Sequence, residues 1–99
     1  KQMICLVVKF VFKDGKINEF MDILRSPDGL AVTRAAKGCQ FAEASISEDG
    51  GTVYIYERWD SKEDNQAYLK FRTDNGLLDA LEPMLAEPMG LTYSDYVEV

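Results

Sequence analysis

Glu57 sits in the run Tyr54-Ile55-Tyr56-Glu57-Arg58-Trp59-Asp60-Ser61, and its side chain is the residue in this chain best suited to acid–base chemistry. A carboxylate among apolar neighbours loses hydration, which raises its pKa and fits it to accept a proton such as that of a phenol. The same group could instead hold an ion pair, with Arg58 or with Arg34 of a second copy, or a hydrogen bond to backbone ends. Trp59 offers a flat face for a planar substrate, or simply a core residue at a strand end. Tyr68 can hydrogen-bond a substrate hydroxyl or a bound oxygen, or lie half-buried with its hydroxyl in water. Arg72 can hold a substrate anion, or ride on a solvated helix face. Phe20, Tyr68 and Phe71 are expected to complete an aromatic pocket beside Glu57. Glu57 and Tyr68 are thus the catalytic candidates, with Phe20, Trp59, Phe71 and Arg72 as substrate-binding candidates. Cys39, Met21 and Met84 read as core.

Other chemistries lack their residues. The chain has no histidine, which removes the commonest general base near neutral pH and the commonest metal ligand. Two separated cysteines cannot rebuild a structural zinc site either, so no metal is expected. No nucleotide loop, nucleophile elbow or Gly-rich phosphate cradle occurs. A net charge of −6, with Lys and Arg scattered along the chain, argues against nucleic acid, whose affinity needs a basic stripe that releases counterions. An anionic membrane surface is excluded on the same ground, and no apolar run is long enough to cross a bilayer.

The elements that must position these residues follow from periodicity and turn chemistry. With 99 residues, 46% of them hydrophobic and 28% charged, the chain is expected to form one domain over residues 1–99. Residues 3–12 are almost continuously apolar and predict a central strand buried on both faces. Asp14-Gly15 turns the chain, and Ile17, Phe20, Met21 and Leu24 form one helical stripe. Ser26-Pro27 breaks that helix and starts a second piece, from Pro27 to about Ala36. Gly38 fits a left-handed C-terminal cap that launches a strand over about Cys39 to Glu48, polar enough for an edge. Asp49-Gly50-Gly51 predicts a hairpin turn into a strand from Thr52 to Trp59. Asp60 or Ser61 then caps a helix to about Arg72, with Glu63 and Asp64 favouring the positive end of its dipole. Asn75-Gly76 resets the chain before a short helix marked by Leu77, Leu78, Leu81, Met84 and Leu85, with Pro83 limiting its regularity. The last segment, Leu91 to Val99, reads as a fourth strand.

The order β, broken α, β, β, two α pieces, β is that of a ferredoxin-like α+β fold, one antiparallel sheet with its helices on one face. Strand parity places Val53, Ile55, Glu57 and Trp59 on the helix-covered side and Thr52, Tyr54, Tyr56 and Arg58 on the other. The reverse facing would exchange these roles. The first strand is apolar at both parities, so the uncovered face also needs cover. Burying it against a second copy, at roughly 25 cal/mol per Å² of apolar surface, predicts an obligate homodimer. Two cysteines are too few to staple a secreted miniprotein, and a reduced, cytoplasmic setting is expected. The chain begins at Lys1 and not Met, so a removed segment or an excised domain is expected, and no signal-like segment lies within it.

Over nearly its whole length the chain resembles the antibiotic-biosynthesis monooxygenase family of dimeric α+β barrels. The resemblance rests on the Lys13-Asp14-Gly15 turn, Phe20, Thr33-Arg34, the Gly38-Cys39 step and the Glu57-Arg58-Trp59 block followed by a capped helix. It implies a dimeric α+β barrel with a pocket in each subunit between sheet and helices, and oxidation of quinols and phenols by O₂ without metal or cofactor. Many relatives carry His where this chain has Tyr68, which would then act in its place. Without histidine, the haem degradation of related branches is not expected. Three readings follow: a cofactor-independent monooxygenase of small aromatic substrates; a non-catalytic dimeric barrel that binds a small apolar ligand or has a structural role; and a small isomerase or lyase that shuttles a proton between Glu57 and Tyr68.

Overall fold

The computed structural model describes residues 1–99. Its elements are β1 (Ile4–Val11), α1 (Ile17–Arg25), α2 (Leu30–Ala35), β2 (Cys39–Ile46), β3 (Thr52–Trp59), α3 (Lys62–Asp74), α4 (Leu77–Leu81) with a 3₁₀ turn at Glu82–Met84, and β4 (Gly90–Asp95). The four strands form one antiparallel sheet in the order β2-β3-β1-β4. This is the expected ferredoxin-like α+β sheet, with β1 inside and β2 at an edge.

Register places the side chains. Ile4, Leu6, Val8 and Phe10 stand opposite Trp59, Glu57, Ile55 and Val53, and all eight are buried beneath the helices. Phe12 extends the same row. Phe20 of α1 closes on Phe10 and Phe12 with ring centroids 4.9 and 4.8 Å away. The parity predicted for β3 therefore holds. On the opposite face Cys5, Val7 and Val11 are only half-buried, Lys9 is exposed, and Phe41 and Tyr56 are 41% and 40% exposed.

Two boundaries differ from the sequence reading by three residues or more, the others by one or two. The second helical piece begins at Leu30, not Pro27, because Ser26–Gly29 closes a turn first: Gly29 donates to the Ser26 carbonyl and the Asp28 N–H to Ser26 Oγ. A side chain on Gly29 would collide with the carbonyls of Ile23 and Leu24, so the turn packs directly against the end of α1. The fourth strand ends at Asp95, not Val99. Asp95 pairs with Ile4, the first residue of β1, so the chain beyond has little strand left to pair with. Only Tyr96 is still held, its N–H on the Met3 carbonyl and its carbonyl on Gln2 Nε2.

The joint between β3 and α3 is built as the sequence implies. Ser61 is the N-cap, its Oγ accepting from Asp64 N at 3.2 Å. Gly38 has a left-handed φ of 86°, and a Cβ there would strike the Asp64 side chain. The Asp60 N–H donates to the Gly38 carbonyl at 2.7 Å, which ties the start of β2 to the end of β3. Ser61 is almost fully buried, so Ser61→Ala is expected to cost about 1–2 kcal/mol in urea denaturation, the loss of one helix cap. A value near zero would mean that the cap does not set this joint.

Candidate functional site

Between the sheet and α1, α2, α3 and α4 lies a small, partly open cavity of about 60 Å³, lined mostly by apolar side chains with Glu57, Thr33, Tyr68 and Arg72 as its polar members. Such a volume holds about two waters at ~30 Å³ each. β3 delivers Glu57 to it because the strand alternates, and the hairpin before β3 fixes that alternation. There Asp49 Oδ1 accepts from Ser47 Oγ and Gly51 N, bonds that hold its carboxyl below the usual carboxylate range.

The Glu57 carboxylate is buried and has one hydrogen-bond donor, the Trp59 indole N–H at 2.8 Å. Burial pushes its pKa up from the usual 4.5, and the indole bond partly opposes this. No cation pairs with it: the ion pairs are Lys1–Glu63 and Lys70–Asp74, and Arg34 donates to the Ala42 carbonyl. Within the single chain, then, Glu57 makes neither an ion pair with Arg58 nor a hydrogen bond to backbone ends.

Tyr68 and Arg72 lie one turn apart on α3. Arg72 Nε donates to the Tyr68 hydroxyl at 2.6 Å, and that hydroxyl shares a 2.5 Å hydrogen bond with Thr33 Oγ1. Two further Arg72 bonds, from Nη1 and Nη2, reach the carbonyls of Asp28 and Gly29 at 2.9 and 2.8 Å. Arg72 is 5% exposed, which corrects the expectation of a solvated helix face. The Tyr68 hydroxyl stands in a side-chain network and not in water. A guanidinium has five N–H donors, and three of these are used here.

Glu57, Tyr68, Arg72 and Phe20 meet at the cavity, whereas Trp59 and Phe71 do not line it. Trp59 stands behind, fully buried, holding Glu57 and packing on Tyr68 with ring centroids 5.3 Å apart. Phe71 is 52% exposed and lines an outer groove with Ala31, Val32 and Ala67, so the aromatic pocket expected from Phe20, Tyr68 and Phe71 lacks its third member. The buried stripe of α3 runs Asn65, Tyr68, Leu69, Arg72, and Phe71 falls off it by 100° per residue.

Asn65 and Tyr93 were not singled out from the sequence, and Thr33 only as part of the family resemblance, not as a site residue. Tyr93 donates to Asn65 Oδ1 at 2.5 Å, while Asn65 Nδ2 is buried without a partner. Tyr93 faces the same side as Glu57, both flanking Leu6. Burial first, and the Glu57 charge second, raise its pKa above 10. Cys39 shifts upward for the same leading reason. A signal for Thr33 existed only in three dimensions, since its partner Tyr68 lies 35 residues away.

The fold and cavity define a ferredoxin-like α+β domain with a buried carboxylate facing an apolar interior. The family model for antibiotic biosynthesis monooxygenases matches residues 3–73, and the chain belongs to that family. Among solved structures, a conserved protein from Methanosarcina mazei Go1 is 17% identical, with a TM-score of 0.81 over 94% of this chain and 91% of that one. The monooxygenase from the gene ActVA-Orf6 of Streptomyces coelicolor, in complex with nanaomycin D, is 19% identical, with a TM-score of 0.80 over 99% and 90%. A protein of unknown function from Nitrosomonas europaea, NE2512, reaches 0.80 at 18% identity over 99% and 92%. At these identities the likeness establishes the fold. Among curated proteins nothing matches the chain. No helix is long and apolar enough to cross a membrane.

Proposed function

We propose that this protein is a cofactor-independent monooxygenase acting on small aromatic substrates of the quinol or phenol type. The observation that carries the reading is Glu57, a buried carboxylate on a small apolar cavity, held by one indole N–H and unpaired with any cation of its own chain. Its raised pKa suits it to take a proton from a weakly acidic substrate. The resulting anion is electron-rich and itself reduces O₂; one oxygen atom enters the substrate as a quinone carbonyl and the other leaves as water with the two hydrogens the substrate loses, so the substrate supplies all the electrons and no cofactor is needed. Tyr68 and Arg72 would stabilise the developing oxyanion, with the two unused guanidinium N–H groups as donors. Phe20 and the cavity walls would exclude water and orient the ring. Trp59 positions the base and does not touch the substrate. Oxygen uptake with a panel of hydroxylated anthrones and quinols tests the reading. Protein-dependent uptake is expected for at least one member; none across the panel leaves a non-catalytic binder of small apolar ligands, which native mass spectrometry would reveal.

The working unit in this proposal is a homodimer closed through the open face of the sheet into an α+β barrel. Support comes from the half-buried Cys5, Val7 and Val11, the exposed Phe41 and Tyr56, and Arg58 Nε, which is buried without a partner on that face. Tyr56→Asp would bury a charge at its centre and is expected to halve the mass measured by light scattering on a sizing column. An unchanged mass would place the interface elsewhere. The free thiols of Cys5 and Cys39 support a reducing compartment such as the cytoplasm.

A further inference from the structure

An aromatic ring does not fit a space of about 60 Å³, so a ligand that reaches Glu57 must move part of its wall. Two walls face larger hollows: the one shared with the groove beside Phe71 is Tyr68 alone, whose hydroxyl is tied to Thr33 and Arg72, and the other is less firmly held. Around the 3₁₀ turn and the segment before β4 lies an open depression of about 790 Å³. Phe10, Leu78, Leu81 and Met89 line both spaces. Phe10 and Leu81 are fixed in the core, but Leu78 and Met89 are only half-buried. Leu78 belongs to α4, five residues long, entered at the left-handed Gly76 and followed by Pro83. This helix packs on α3 and the 3₁₀ turn and makes little contact with the sheet. Met89 is an unbranched side chain with three rotatable bonds. The partition is therefore two movable apolar side chains thick.

Charge at the mouth selects what can approach. The outer hollow is rimmed by Asp79, Glu82 and Glu87 against the single cation Lys13. An anion meets repulsion there, while a neutral molecule does not. Inside, the arrangement is the opposite, because Arg72 is a buried cation without a carboxylate partner. A ligand that enters neutral and ionises only at the inner end satisfies both conditions.

We propose that the two hollows form one elongated ligand site divided by a Leu78–Met89 gate, and that its ligand is a neutral, hydroxylated apolar molecule longer than one ring, seated with its hydroxyl at the Glu57–Arg72 end and its body in the outer hollow. Carboxylates of the same size are rejected at the acidic rim. Only the orientation of the hydroxyl rests on the role given to Glu57 above.

The test is binding without turnover, under nitrogen at pH 7, with 2-naphthol, 2-naphthoate and phenol followed by NMR of the labelled protein. With 2-naphthol, shifts are expected together at Phe10, Leu78, Leu81 and Met89 and at Glu57. 2-Naphthoate is expected to bind at least 10-fold more weakly. Leu78→Ala, which thins the gate, is expected to tighten 2-naphthol by about 5–10-fold and to tighten phenol, whose ring must also displace the wall, in the same direction. Met89→Trp, which fills the outer hollow, is expected to weaken 2-naphthol at least 10-fold. Met89→Ala serves as a second opening variant, and circular dichroism establishes that each variant is folded. The proposal is overturned if 2-naphthol binds equally to wild type and both kinds of variant, if it shifts only the groove beside Phe71, if naphthoate binds as well, or if no naphthol binds at all. Naphthol binding through this gate without oxygen uptake on any substrate would reject the oxygenase reading and keep the site; uptake that ignores gate variants would do the reverse.

Discussion

Glu57→Gln is expected to lower protein-dependent oxygen uptake by about 10²–10⁴-fold, the usual worth of a positioned general base, and to make the protein more resistant to denaturation above pH 5. The two effects have one cause. Glutamine can still accept the Trp59 indole hydrogen bond, but it carries no charge that folding must bury. Because the folded pKa of Glu57 lies above its ordinary 4.5, folding favours the protonated acid. Its contribution to stability is full below about pH 4.5 and is lost as pH rises through the folded pKa. The variant keeps the neutral form at every pH, so its advantage over wild type should be small at pH 4 and grow to a plateau on the alkaline side. Urea melts of both proteins at pH 4, 6 and 8 measure this difference directly. Using the difference matters, because Asp49 and Glu63, with lowered pKa values, push wild-type stability the opposite way and cancel in the comparison. An advantage that shrinks with rising pH would contradict the burial of an ionisable Glu57. Unchanged oxygen uptake would remove it as the base.

Trp59→Ala is expected to cost about 3–5 kcal/mol, the range for deleting a large buried aromatic, since the side chain is 0% exposed and touches Tyr68 as well as Glu57. The more informative variant is Trp59→Phe. It retains much of the ring packing and removes the only donor on the Glu57 carboxylate, so about 1–3 kcal/mol should be lost at neutral pH. The indole bond lowers the Glu57 pKa; without it the acid form is favoured further, and the penalty should grow with pH. Combining Trp59→Phe with Glu57→Gln isolates the pair, because the phenylalanine penalty should lose its pH dependence once residue 57 no longer ionises. A Trp59→Phe penalty that is flat from pH 4 to 8 in the wild-type background would show that the indole bond does not tune the carboxylate.

Much of this arrangement could be seen in residue order, and the part that could not has a physical reason. β3 was legible to its ends because Thr52–Trp59 alternates cleanly and is bounded by a glycine turn and a capping serine. With the parity of that strand came the location of Glu57. The helix that follows was legible as a helix but not by its faces. Its inner stripe carries Asn65, Tyr68 and Arg72, so hydrophobicity points away from the core, and an aromatic such as Phe71 looks buried when it is not. Polar groups enter the interior here because each finds partners distant in sequence: Tyr68 with Thr33, Arg72 with the Asp28 and Gly29 carbonyls, Asn65 with Tyr93. Nothing local announces such pairings. The end of β4 was misplaced for a similar reason. Tyr96-Val97-Glu98-Val99 has strand-forming side chains, but a strand needs a neighbour, and β1 has already run out.

The central place of β1 also has a consequence in time. The strand that enters the sheet interior is the first of the four to be synthesised, yet its two neighbours, β3 and β4, are residues 52–59 and 90–95. A nascent chain therefore carries its most apolar segment unpaired until the β2–β3 hairpin, which needs only local contacts, has formed and offered an edge. Docking of β4 closes the other side only after all the helices have been made. The order of events is thus expected to be hairpin, then β1, then β4, with β1 as the stretch most in need of protection from aggregation before it finds its place.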